Sequence, residues 1–144
     1  MDSLRDDEKR PYLQRFFEIY EHAHQAHEHG LTEVSGAGFR KSFEFLLKDY
    51  AIFRFPDNKK EIEEQPIQQV IQRFQENKQL LIVAERAAWL GNDQIHYTVK
   101  WVDKDVSDFI NAIKLTLQCI CNSETASNLQ ISMVDKRKFR VKDI

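Results

Sequence analysis

Histidine side chains that could exchange protons near neutral pH stand at two places in the chain. Four of the five histidines lie between residues 22 and 29, and the fifth is His96. His96 follows Asn92 by four residues and Asp93 by three, so one helical turn would bring the three together. A neutral imidazole can act as acid or base near pH 7, and an Asn or Asp can orient its ring. The alternative is a corner between two helices that hydrogen bonds hold together, with no chemistry.

The segment of residues 22–29 allows a second kind of site, one that binds a divalent metal. His24 and His27 are three residues apart and would share a helix face, and His22 and His29 nearly share one. Zinc needs three or four converging ligands, and one helix supplies at most two, so another element would have to provide the rest. The alternative is a solvated helix C-terminus, where positive charge is favourable. If a metal binds, added zinc or nickel must raise the melting temperature.

Length and composition limit what elements can position these side chains. The chain has 144 residues, of which 42% are hydrophobic and 31% charged, with a net charge of -2. One domain with a real core is expected, and this charge is not that of a strongly basic nucleic-acid binder. Gly occurs 4 times and Pro 3 times, which favours long helices over many short strands. We expect no membrane span and no signal peptide, and therefore a cytoplasmic protein. In that compartment Cys119 and Cys121 are expected to be reduced.

Apolar spacing of three and four residues predicts about five helices. The second one carries apolar residues on more than one face, so we expect it to be central in an antiparallel bundle. Pro11 suits the first turn of the first helix, and Gly30 and Gly91 suit the positions just past two helix ends. The predicted helices cover residues 12–29, a segment beginning near Thr32, a short segment beginning at Pro66, residues 78–90, and a segment beginning near Asp103.

The pattern changes after Asn122. Residues 123–128 are polar and suggest a loop, whereas Leu129, Ile131 and Met133 alternate with polar residues as in a strand. The locally basic residues 136–142 continue this alternation. We therefore divide the chain into a helical domain of residues 1–122 and a tail of residues 123–144. This tail is either a β-hairpin or a frayed arm, and dimerisation could order it.

Three stretches together resemble one helical family of bacteria and phages. They are residues 38–50, residues 89–93 followed by His96 and Tyr97, and residues 100–105 with the last helix. In this combination, over roughly residues 10–122, the chain resembles the domain of unknown function four-one-four-five. Members of that family often occur alone or fused to restriction-type nucleases. The family is grouped with the HEPN-like helical bundles, so the resemblance implies a HEPN-like fold.

The same resemblance implies a metal-independent ribonuclease site. Many HEPN-like domains are dimeric RNases of toxin–antitoxin and anti-phage systems. Their motif is an Arg, usually followed by a polar residue, and then a His after four to six intervening residues. In this chain Asn92 and His96 are present, but Gly91 stands where the Arg is expected. Arg86 or Arg40 would have to replace it, and Glu44 could pair with Arg40 along a helix. The candidate catalytic residues are therefore His96, Asn92, Asp93, Arg40, Glu44 and Arg86.

The displaced Arg decides the functional expectation. Cleavage of a phosphodiester without a metal needs a positive group at the phosphate as well as proton transfer. We therefore expect a non-catalytic interaction module that forms a homodimer, binds no cofactor and is linked to phage, restriction or defence systems. One alternative is an endoribonuclease acting on RNA through His96, Asn92 and a displaced Arg, which requires His96 to face an open groove. The other is a protein that binds a divalent metal through His24 and His27.

Overall fold

The structure, a computed structural model, describes residues 10–135 and shows six α-helices and no strand in that part of the chain. The helices are α1 (Gln14–Glu28), α2 (Thr32–Arg54), α3 (Lys59–Glu64), α4 (Ile67–Ile71), α5 (Lys78–Asp93) and α6 (Val106–Ser132). The predicted all-helical class is confirmed, and α3 adds a helix to the expected five. Within the described residues, no helix is long and apolar enough to cross a membrane.

Helices α1 and α2 form a closely packed pair. A short 3-10 turn, Pro11–Leu13, leads into α1, and Gly30 follows it with a φ of 75°, so the roles predicted for Pro11 and Gly30 are confirmed. A side chain at Gly38 would place its Cβ 3.0 Å from the Cβ of Ala23. The two helix backbones can therefore approach each other only because both residues are small.

Helix α2 is the centre of the fold, as the apolar residues on more than one of its faces predict. It contacts all five other helices. Five of its large apolar side chains are fully buried, and they pack with Phe16 of α1, Phe74 after α4 and Phe109 of α6 in one core. Those α2 side chains are Phe39, Phe43, Leu46, Leu47 and Tyr50. Burial of each such side chain contributes about 1.5–3 kcal/mol, so these residues of α2 make a large contribution to the stability of the core.

A polar contact ties the middle of α6 to the end of α2. The hydroxyl of Tyr50 donates to Glu124 Oε1 at 2.9 Å, and Arg54 donates to the same hydroxyl at 3.3 Å. Arg54 also pairs with Glu76. Burial raises the pKa of the Tyr50 phenol above its ordinary value. The phenol therefore stays neutral in the fold and can act as the donor that holds Glu124.

Helix α6 overturns the prediction for residues 123–132. Asp105 caps its start, with Asp105 and Asp108 forming a reciprocal capping box, and the helix then runs without interruption to Ser132. The predicted loop at 123–128 and the strand pattern at 129–133 are wrong as far as the helix extends. The segment contains no Gly or Pro, so a helix already fixed by packing propagates through it. The division at residue 122 falls inside this helix, and residues 136–144 lie outside the described part.

Candidate functional site

The predicted site lies where α5 ends and the loop of residues 94–105 begins. Both carboxylate oxygens of Asp93 accept hydrogen bonds from this loop, from the backbone N–H of Lys100 at 3.0 Å and of Trp101 at 2.8 Å. The indole of Trp101 stacks on that of Trp89, with ring centroids 5.8 Å apart and planes 7° apart. The loop is therefore folded back over the last turns of α5 instead of extending into water.

A groove that we call the indole groove opens between this loop and α5. Its volume is about 660 Å³, within the range of small-ligand sites in proteins. His96 is exposed, and its backbone N–H donates to the carbonyl of Asn92 at 3.0 Å, so the predicted helical turn between the two residues exists. The lining residues are Trp89, Asn92, Asp93, His96, Tyr97, Thr98, Lys100 and Trp101.

A second groove, which we call the corner groove, shares Asp93, His96 and Tyr97 with the indole groove. It joins the loop to the corner between α1 and α2, and its volume is about 680 Å³. The α1–α2 corner contributes His27, Thr32 and Glu33, and the start of α6 contributes residues 105–107. The ionisable lining residues are His27, Glu33, Asp93, His96, Tyr97, Lys104 and Asp105.

The two candidate arginines are both held by other contacts. Arg40 donates to Glu44 at 3.0 Å, which is the predicted pair along α2, and the Arg40 side chain is 16% exposed. Arg86 donates to Glu85 and places its guanidinium 5.0 Å from the centre of the Trp89 ring. Neither Arg40 nor Arg86 is among the residues that line the indole groove. Lys100 is the cation in that lining.

Two local predictions about this site are wrong. Gly91 is not a left-handed helix cap, because α5 continues to Asp93 and Gly30 is the one glycine with positive φ among the described residues. Gly91 lies at a buried position where its neighbours leave no room for a side chain. A Cβ there would lie 2.8 Å from Phe109 Cζ and 3.0 Å from Arg40 Cδ. The spacing offers Asp93 as a group that orients His96, but its carboxylate holds the backbone of the loop.

The histidines of α1 are spread over separate contacts. His24 pairs with Glu28 at 3.0 Å and stacks on Tyr20, whereas His27 lies edge-on against Phe39. His29 Nδ1 lies 2.8 Å from the carbonyl oxygen of Gln25, an ordinary contact at a helix end. Across the described residues, no three His, Cys, Asp or Glu side chains are grouped so as to hold a metal ion.

The aromatic part of the site was not predicted. Trp89 and Tyr97 belong to the stretches that carry the family resemblance, but nothing in their spacing predicts that Trp101 packs against Trp89. The available signal was indirect: the chain has two tryptophans, and they lie just before and inside the one long loop between α5 and α6.

No family model, curated protein or solved structure matches this chain. The resemblance to the domain of unknown function four-one-four-five, and the HEPN-like arrangement that it implies, therefore stay predictions.

Proposed function

We propose that the protein is a HEPN-like interaction module that forms a homodimer through the exposed face of α6. The observation that carries the proposal is the near absence of charge on the last two thirds of that helix. Between residues 115 and 134 the chain has one charged residue, Glu124, although 31% of all its residues are charged. Glu124 itself is turned toward Tyr50 of the body.

Exposure along α6 points the same way. Every residue from 125 to 134 is exposed, and these include large apolar side chains: Leu129 at 58%, Ile131 at 74% and Met133 at 71%. Leu115, nearer the start of the helix, is 46% exposed. A solvated helix face normally carries charged residues, and contiguous exposed apolar surface is typical of protein interfaces. An α6 face that pairs with a second copy would be covered without losing any charged group to desolvation.

The arrangement at His96 favours a module without catalysis. A ribonuclease site needs a cation aimed at the phosphate, and Arg40 is instead bound to Glu44 while Arg86 lies over Trp89. The proposed setting in phage, restriction or defence systems rests on the sequence resemblance.

Sedimentation equilibrium tests the homodimer. The expected mass is twice the 17.1 kDa of one chain at micromolar concentration. Leu129→Glu, which places a charge in the middle of the uncharged face, should shift the population to monomer. The matched control is Gln69→Glu, which adds the same charge at an exposed position on α4 and should leave the dimer intact. A monomer at all concentrations, or equal effects of both variants, would refute the proposal.

One observation favours a second candidate function, a metal-independent endoribonuclease. His96 lines an open groove, as that hypothesis requires, and Asn92 and Lys100 also line it. Here His96 would transfer protons while Lys100, in place of an Arg, would stabilise the phosphate. RNA cleavage by the wild type that is lost in both His96→Ala and Lys100→Ala would establish this function. Cleavage that survives both changes would dismiss it.

A further inference from the structure

We propose that the basic residues 136–142 of one copy lie in the corner groove of a second copy, so that the two copies exchange these segments reciprocally. The proposal rests on the proposed function, because it requires a homodimer. The segment lies outside the described residues, and only its sequence is used: Lys136, Arg137, Lys138, Phe139, Arg140, Val141 and Lys142.

Charge selects a cationic occupant for the corner groove. Glu33, Asp93 and Asp105 line the groove, whereas Lys104 is the one Lys or Arg among its lining residues. Asp93 and Asp105 also accept backbone hydrogen bonds, so Glu33 is the acidic residue on which the proposal depends most. Residues 136–142 carry five cationic side chains and no acidic one. Oppositely charged surfaces attract and orient each other on association, so this segment has the charge that the groove lacks.

Apolar surface selects an occupant that is also partly hydrophobic. Tyr97 in the groove wall is 104% exposed and Val99 is 45% exposed, and beside Thr32 and Glu33 in sequence lie Leu31 at 54% and Val34 at 64%. Phe139 and Val141 alternate with cations in the segment. An extended segment directs alternate side chains to opposite sides, so its two apolar residues can face this surface together while its cations meet the carboxylates.

The length of α6 requires that the groove belong to another copy. Asp105, Val106 and Ser107 line the groove, so α6 begins beside it and then runs for 27 residues, about 40 Å at 1.5 Å per residue. From Ser132 to Lys142 the chain can span at most about 33–36 Å even when fully extended. Residues 136–142 therefore do not reach the groove of their own chain.

A symmetric dimer supplies the second groove. If two copies of α6 lie side by side in opposite directions, the end of each helix points toward the start of the other, where the partner copy's groove opens. The contact is then the same in both directions, as a two-fold interface requires. The uncharged face of α6 and the basic segment become two parts of one interface.

Charge reversal in the full-length chain tests the exchange. Glu33→Lys changes the groove, and the double variant Lys138→Glu with Arg140→Glu changes the segment. Each should weaken the homodimer about tenfold at low ionic strength, and the three changes together in one chain should restore most of the affinity. The matched control is Glu64→Lys with Lys60→Glu on α3, away from the groove lining, which should change nothing. The differences should shrink in about 1 M salt.

The outcomes separate this inference from the proposed function. A dimer that none of the reversals weakens would overturn the exchange and leave the α6 homodimer standing, whereas a monomer in every sample would overturn both. Carbodiimide cross-linking in a mixture of isotope-labelled and unlabelled chains adds a direct measurement. A Lys138–Glu33 link between a labelled and an unlabelled chain supports the exchange. A link found only within single chains would overturn the exchange. Charge reversals that abolish RNA binding without weakening the dimer would also overturn it.

Discussion

Replacing Asp93 by alanine tests what holds the loop of residues 94–105 over the end of α5. The carboxylate accepts the N–H of Lys100 at 3.0 Å and that of Trp101 at 2.8 Å, and both bonds are solvent-accessible. A net contribution of about 1 kcal/mol for each gives about 2 kcal/mol for the closed loop. Asp93→Ala should therefore raise the population of the open loop about thirtyfold. Asp93→Asn keeps one acceptor oxygen, so the expected increase is about fivefold.

Amide hydrogen exchange measures this opening at the two donors themselves. The exchange rates of the Lys100 and Trp101 amides should rise by these factors, because local opening exposes them to water. Near-ultraviolet circular dichroism gives an independent reading, since the chain has two tryptophans and the loop stacks one of them on the other. The dichroism signal from the Trp89–Trp101 pair should weaken more in Asp93→Ala than in Asp93→Asn.

Asp103→Ala is the matched control, because it removes a carboxylate from the same loop and leaves the Asp93 bonds in place. It should change neither the exchange rates nor the dichroism. The denaturant midpoint of the whole protein should also change little in the Asp93 variants, because the loop contributes little buried surface. If Lys100 and Trp101 exchange as slowly in folded Asp93→Ala as in the wild type, Asp93 does not hold the loop.

Two further predictions concern stability. Gly91→Ala would gain about 1 kcal/mol of helix propensity, but it places a Cβ 2.8 Å from Phe109 Cζ. Because such overpacking costs about 1–3 kcal/mol, the denaturant midpoint should fall. A raised midpoint would mean that Phe109 and Arg40 move aside freely. Burial raises the pKa of Tyr20 and Tyr50 above the ordinary value of 10.0. Their contribution to the free energy of unfolding is therefore fully present below pH 10, and it is lost as pH rises through the pKa of the folded state. Denaturant titrations should show that the free energy of unfolding falls above pH 10, and that it falls less steeply in Tyr50→Phe than in the wild type. Equal slopes in the variant and the wild type would show that Tyr50 does not cause the fall.

Local periodicity was enough to predict most of the helices. Phe39, Phe43, Leu46 and Tyr50 repeat at three- and four-residue intervals, so the α2 face that meets the core is contained in the sequence itself. The same holds for Gly30. Glycine adopts a positive φ with less strain than any other residue, so a Gly just past a predicted helix is typical of a left-handed helix end.

Predictions failed where distant residues decide the conformation. Gly91 resembles a helix end in sequence, yet Phe109 and Arg40, from two other helices, make it a buried position inside α5. Leu129, Ile131 and Met133 alternate as in a strand, but no neighbouring strand exists in the described residues to pair with, and α6 simply continues.

The candidate site divides along the same line. Asn92 and His96 come together because they are one helical turn apart, which the spacing predicted. The partners of Asp93 are seven and eight residues away in a loop, and Trp101 reaches Trp89 across the same loop, so neither contact follows from helix geometry. The placement of Arg40 beside Gly91 depends on how α2 crosses α5, which no local pattern contains.

The close approach of Gly38 to Ala23 has a consequence for the order of folding. Helices α1 and α2 are joined by three residues, so bringing them together closes a very short loop and costs little chain entropy. Their contacts are local in sequence, whereas α6 must return to α2 from more than fifty residues away to form the bond between Tyr50 and Glu124. We therefore expect the α1–α2 pair to be largely formed in the folding transition state. Enlarging Ala23 should slow refolding, and weakening the α6 contact should mainly speed unfolding.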